Sequence, residues 1–184
     1  YHLKIHTIPP VEVDSVVVLP GKHSVIQANV PQGYLLVKTP RGKQYEGQEF
    51  FVRKNRETET LHTQEIGQVE KYLTGTYEIE IPSIPRIHIR DIEILQSQTR
   101  IINIPEPGLV TLSSKHEGSG SIYSLSNSGQ EWILNLNSLV KQQAYLMQPG
   151  FYRVVFRNNI SKSSLNTQVR EFEVKEGQSL FIDM

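Results

Sequence analysis

The sequence predicts an all-β protein made of two tandem antiparallel β-sandwich modules. Three observations predict it: an internal repeat of about 75 residues, apolar side chains alternating at period two, and Pro and Gly spaced so as to end each alternating run. Helical periodicity is nearly absent.

The repeat is visible without a gap when residues 1–18 are set over residues 77–94. Tyr1, Leu3, Ile5, Ile8, Val11, Val13, Val16 and Val18 fall on Tyr77, Ile79, Ile81, Ile84, Ile87, Ile89, Ile92 and Ile94, and Pro9 falls on Pro85. Apolar positions are kept while polar ones differ, which is the pattern of a shared core. Further along, Asn29-Val30-Pro31-Gln32-Gly33 answers Asn103-Ile104-Pro105-Glu106-Pro107-Gly108, and Gly75-Thr76-Tyr77 answers Gly150-Phe151-Tyr152. A partial third copy runs from Tyr152 to Gly177. The chain thus holds two and a half units and starts in mid-phase, so it is expected to be a piece of something longer. Counting back from Met184 gives a first module over 1–97 and a second over 98–184. Residues 1–23 either complete the first or remain from a truncated preceding unit, and a boundary near 75 is the alternative phase.

Alternation places strands at 1–6, 15–19, 24–30, 33–38 and 48–53. In Tyr77-Glu78-Ile79-Glu80-Ile81 each apolar residue is followed by a polar one, so 77–81 is a strand with one wet face. Pro82 and Pro85 end it, and strands follow at 91–95 and 100–104. Pro105-Glu106-Pro107-Gly108 turns the chain into strands at 109–113, 121–125 and 131–136. The last two form a hairpin around Ser126-Asn127-Ser128-Gly129, with Trp132, Leu134 and Leu136 expected on one core-facing side. Strands at 143–147, 151–157, 169–175 and 179–183 complete the series. Short helices are expected at Glu65–Leu73 and Asn137–Gln143. Strand edges such as Tyr1–His6 are open to pairing with a neighbouring module or another copy.

Composition excludes several function classes. Nineteen Lys and Arg balance nineteen Asp and Glu, with 11 against 12 up to Ser97 and 8 against 7 beyond it, so neither part has a basic excess for nucleic acid. No run approaches the roughly 18 apolar residues of a membrane span. The absence of Cys removes disulfides and thiolate chemistry. His2 and His6, four apart on a strand, lie about 13 Å from each other and form no metal site; the other histidines are scattered. No Gly-x-Ser-x-Gly elbow, phosphate loop or Asp-rich calcium loop occurs, and pairs such as Glu57 and Glu59 or Glu78 and Glu80 fall on wet strand faces. No catalytic residue, metal or cofactor is expected. The residue-based functional idea is carbohydrate stacking on aromatic rings: with Trp132 assigned to the core, Tyr45 and Tyr123 are the candidate ligand-binding residues.

Gly75-Thr76-Tyr77-Glu78-Ile79-Glu80-Ile81, Ile84-Pro85-Arg86-Ile87, Ile104-Pro105-Glu106-Pro107-Gly108 and Gln148-Pro149-Gly150-Phe151-Tyr152-Arg153 resemble the C-terminal β-repeat region of bacterial, Bacteroidetes-type von Willebrand factor A domain proteins. The run from Pro149 to Val154 with Phe172–Gly177 is more loosely similar to PEGA and carboxypeptidase-regulatory, prealbumin-like sandwiches. The resemblance implies an exported, periplasmic or cell-surface protein in which this region is a stalk, spacer or adhesion accessory without catalysis. Its partner would be a protein or a neighbouring module of the same chain. The A domain's own Asp-x-Ser-x-Ser is absent from these residues, so no adhesion site carries over. The alternative is a carbohydrate-binding module attached to an enzyme or adhesin, with a glycan as ligand.

Overall fold

The computed structural model describes residues 1–40, 45, 47–159 and 167–184. Among them every regular element is a strand, and the chain divides into two compact units: residues 1–81 with 88–104, and residues 82–87 with 105–184.

Unit 1 opens with a small hairpin, β1 (Leu3–Ile5) and β2 (Val11–Val13), followed by β3 (Gln32–Lys38), β4 (Glu49–Lys54), β5 (His62–Glu65), β6 (Val69–Leu73), β7 (Gly75–Ile81), β8 (Ile87–Ile94) and β9 (Thr99–Asn103). The strands after the hairpin make two sheets, ordered β6-β3-β9 and β5-β4-β7-β8. Leu35 and Val37 of the first sheet and Phe50, Val52, Tyr77, Ile79, Ile81, Ile92 and Ile94 of the second are buried. They are alternate residues along their strands, so one face of each sheet is apolar and the sandwich closes on it.

Unit 2 repeats the plan with β10 (Gly108–Ser113), β11 (Gly118–Ser126), β12 (Gly129–Asn135), β13 (Gln142–Met147), β14 (Gly150–Asn158), β15 (Thr167–Val174) and β16 (Ser179–Asp183). Its sheets are β13-β10-β16 and β12-β11-β14-β15, the same order strand for strand. Its core draws Val110, Leu112, Met147 and Ile182 from one sheet and Ile122, Tyr152, Val154, Phe156 and Val174 from the other. The registers fix the correspondence. Val52 opposite Ile79 matches Ile122 opposite Val154, so Arg53 corresponds to Tyr123, Glu80 to Val155 and Gln64 to Leu136.

Small details recur as well. Ile8-Pro9 and Ile84-Pro85 are cis peptide bonds. The Leu73 amide donates to the Ile8 carbonyl (2.7 Å) as the Gln148 amide donates to that of Ile84 (2.6 Å), and Thr7 and Ser83 each donate a hydroxyl to the proline carbonyl two residues on, both at 2.6 Å.

In its secondary structure and boundaries the fold departs from the sequence expectation at several points. Each three-stranded sheet is mixed rather than antiparallel, because β3 runs parallel to β9 and β10 to β16. The pairing of β9 with β3 keeps Thr99–Asn103 in unit 1, which puts the break after Ile104 instead of after Ser97. Glu65–Leu73 is not a helix: Gly67, at φ +90°, turns β5 into β6. Nor is Asn137–Gln143 helical. There the Gln143 side chain donates to the Asn137 and Val140 carbonyls and accepts from the Asn137 amide, holding the segment as a turn that leads into β13. Finally, 15–19 and 24–30 carry strand pattern and form none. By the repeat they correspond to the end of β8 and to β9, which are held by β7 and β3; without such neighbours Val18 and Val25 are exposed.

Candidate functional site

The outer face of the β12-β11-β14-β15 sheet carries two exposed aromatic side chains, Trp132 and Phe151; a third of unit 2, Phe181, lies on β16 of the other sheet. The register sets Trp132, Tyr123, Arg153 and Glu171 in one row across the four strands. On one side lies the row Gln130, Leu125, Phe151 and Glu173, and on the other Asn135, Ser121, Val155 and Val169. Trp132 is 54% exposed and Phe151 60%; Tyr123 is half-buried between its neighbours.

A register shift between Ile122 and Tyr123 decides where Trp132 points. Leu134 pairs with Ile122 and Trp132 with the next residue, Tyr123, which leaves Ile133 as the extra residue of a bulge. Trp132 and Leu134 therefore face opposite sides of the sheet, Leu134 against the core and Trp132 outward. The expected core role of Trp132 is thus corrected. Period-two counting assumes an unbroken register, and one bulge reverses it.

The exposed ring is held in place. Its Nε1 donates to Asn135 Oδ1 at 3.0 Å, and the same oxygen accepts the Ser121 hydroxyl at 2.7 Å. Arg153 is fixed from both sides, donating to Glu171 Oε1 from Nε (3.0 Å) and to Gln130 Oε1 from Nη1 (2.8 Å). Beside Asn135, the anchor of the indole, is a shallow depression whose lining includes Ser119, Ser121, Ser138, Leu136, Val155 and Arg157.

The corresponding face of unit 1 has another chemistry. At the positions of Tyr123 and Val155 it carries Arg53 and Glu80, ion-paired at 2.8 Å and largely buried. Tyr45 does not correspond to Tyr123. It lies before β4 and is 4% exposed, and a buried ring offers no face to a sugar. The two sequence candidates are therefore not brought together, and Trp132, Asn135 and Phe151 are the residues that sequence reasoning missed. Trp132 was visible as the single Trp; the bulge that turns it outward was not.

Other polar groups do not converge. His2 Nδ1 lies 2.5 Å from Asp14 Oδ1 across the β1–β2 hairpin, with Glu12 Oε2 3.8 Å from Nε2, all exposed. Sequence spacing gave His2 no acidic neighbour; antiparallel pairing of Leu3 with Val13 supplies one. Among the described residues no group of three or more His, Asp or Glu could hold a metal ion, and no helix is long and apolar enough to cross a membrane. Four tyrosines, buried or partly buried, have displaced ionisations. Burial pushes the Tyr77 and Tyr152 hydroxyls up to about 12 and raises those of Tyr72 and Tyr145.

No family model and no curated protein matches the chain. Solved structures with some likeness include the Bacillus anthracis TIE protein, at 13% identity and a TM-score of 0.36 over 84% of this chain. The chain spans 33% of that protein's length. The minor pilin GBS52 of Streptococcus agalactiae is 11% identical with a TM-score of 0.33, over 84% of this chain and 94% of its own. The human OSCAR ligand-binding domain is 12% identical with a TM-score of 0.24, over 80% and 97%.

Proposed function

We propose that this chain is a non-catalytic tandem module, a stalk or adhesion accessory of a larger exported protein, in the manner of the von Willebrand factor A-associated repeat regions that its sequence resembles. Residues 1–23, which follow the repeat of β7 and β8, would belong to a further module of the same kind. One observation carries the stalk reading. In each unit the first and last sandwich strands are parallel neighbours: Tyr34–Lys38 lie beside Thr99–Asn103, and Leu109–Ser113 beside Ser179–Asp183.

The consequence is mechanical. In a parallel pair the chain enters one strand and leaves the other at opposite ends, about 16 Å apart over five residues. Tension along the chain then loads all the cross-strand bonds at once, in shear, instead of one after another. Backbone bonds extend the clamp at both ends, Tyr34 to Gln98 (2.8 Å) and Ile104 to Lys38 (3.0 Å) in unit 1, and Leu109 to Gln178 (2.9 Å) and Met184 to Ser113 (2.8 Å) in unit 2.

Stretching single molecules of the whole chain tests it. Two separate unfolding events are expected, each releasing about 25 nm, the extended length of one unit of some 75 residues. A single event, or a featureless extension at low force, contradicts the stalk role.

A further inference from the structure

We propose that the outer face of the β12-β11-β14-β15 sheet binds a neutral oligosaccharide, with Trp132 as the stacking platform and Asn135 as the residue that positions it. The site is independent of the stalk reading, since it uses none of the parallel strand pairs.

The first support is a comparison within the molecule. The two units share strand order and core register, so a difference on one outer face stands out against a common plan. Unit 1 puts the Arg53–Glu80 ion pair there; unit 2 puts Tyr123 and Val155 at those positions and adds a bulge that turns Trp132 outward. Burying the indole would have stabilised the fold. The bulge gives that up, a recurring feature of binding sites, where bulges re-aim a side chain.

The second is preorganisation. Trp132 is pinned to Asn135, and Asn135 to Ser121, so the ring has little freedom left to lose on binding.

The third is the match of charge and shape. A pyranose presents an apolar C–H face and an edge of uncharged hydroxyls. The site presents an exposed indole and, next to its anchor Asn135, a depression that Ser119, Ser121 and Ser138 line together with the apolar Leu136 and Val155 and the cation Arg157. The central cation of the face, Arg153, is neutralised by Glu171, so an uncharged ligand need not break an ion pair. The positions of Trp132, Tyr123, Leu125 and Phe151 adjoin across β12, β11 and β14, but Gln130, Arg153, Glu171 and Glu173 flank them, polar groups that an apolar protein interface would have to desolvate.

Trp132 is the sole Trp of the chain, so its fluorescence reports on this site alone. The test titrates cellohexaose, xylohexaose, mannohexaose and chitohexaose into the 184-residue chain. At least one should give a saturable shift with a Kd of about 1 mM or tighter. By calorimetry Trp132→Ala should then weaken that sugar at least about tenfold, while Trp132→Phe keeps part of the affinity. Asn135→Ala should lower the steady-state anisotropy of Trp132 in the free protein and weaken binding, with the thermal midpoint unchanged. No response to any of the four sugars, or equal affinity in Trp132→Ala, overturns the proposal.

Discussion

Tyr77 and Tyr152 occupy the same place in the two units, and each donates its hydroxyl to the carbonyl four residues upstream, Tyr77 to Leu73 at 2.8 Å and Tyr152 to Gln148 at 2.7 Å. The bond ties the start of β7 to the end of β6, and the start of β14 to the end of β13, in the manner of a tyrosine corner. Both rings are buried, so a lost hydroxyl leaves a carbonyl without its partner. Tyr77→Phe and Tyr152→Phe should each cost about 1 kcal/mol, read by urea unfolding.

The same tyrosines set an alkaline limit. Their ordinary value is 10.0, and burial pushes them up to about 12, with Tyr72 shifted the same way. The unfolded chain therefore releases these protons first. Their contribution to stability is complete below pH 10 and is lost as pH rises towards 12. Unfolding free energies measured from pH 8 to 12 should be level at first and then fall, less steeply in the double variant Tyr77→Phe/Tyr152→Phe. An equal slope in that variant would place the cause elsewhere.

Unit 1 buries a polar knot where unit 2 is apolar. Tyr72 donates to Gln64 Oε1 at 2.9 Å, and Gln64 Nε2 donates to the carbonyls of Leu35 (3.1 Å) and Gln68 (2.9 Å). Unit 2 has Met147 and Leu136 at these positions. Gln64→Leu alone strands the Tyr72 hydroxyl and should cost about 1 to 3 kcal/mol. Gln64→Leu/Tyr72→Met, which imports the pair of unit 2, should cost less than the two single changes added together, measured as a double-mutant cycle.

Gly33 and Gly108 open the first strands of the two units against a neighbouring backbone. A Cβ on Gly33 would lie 2.1 Å from the Leu95 carbonyl oxygen, and one on Gly108 2.8 Å from that of Lys175. Backbone cannot step aside as a side chain can. Gly33→Ala and Gly108→Ala should each destabilise by about 3 kcal/mol. Gly21→Ala, at φ +68° with nothing within 4 Å, should cost about 1 kcal/mol from conformation alone. Thermal unfolding of the three variants separates crowding from strain.

The core was legible where strands carry several alternating apolar residues. Tyr77, Ile79, Ile81, Ile92 and Ile94 are all buried as their spacing indicates, and the hairpin around Ser126–Gly129 forms as its turn residues require. Three short strands, β2, β5 and β6, were not legible. β5 reads His-Thr-Gln-Glu, and its inward residue is Gln64, whose burial depends on distant partners that no local pattern announces. Residues 24–30 show the converse, a strand pattern with no strand, because pairing is a property of two segments and the pattern belongs to one. The candidate site failed to show for a related reason: a single extra residue, Ile133, sets the face of Trp132, and a bulge leaves no compositional mark.

The measurement that tests the mechanical account most directly compares two pulling directions on unit 1. The chain has no Cys, so paired substitutions give unique handles: Asn29→Cys with Pro105→Cys loads opposite ends of the β3–β9 pair, and Asn29→Cys with Gln98→Cys loads the same end. Shear across the whole pair should rupture at clearly higher force than unzipping from one end. Equal forces in the two geometries would show that the parallel strands do not act as a clamp, and the stalk reading would lose its structural basis.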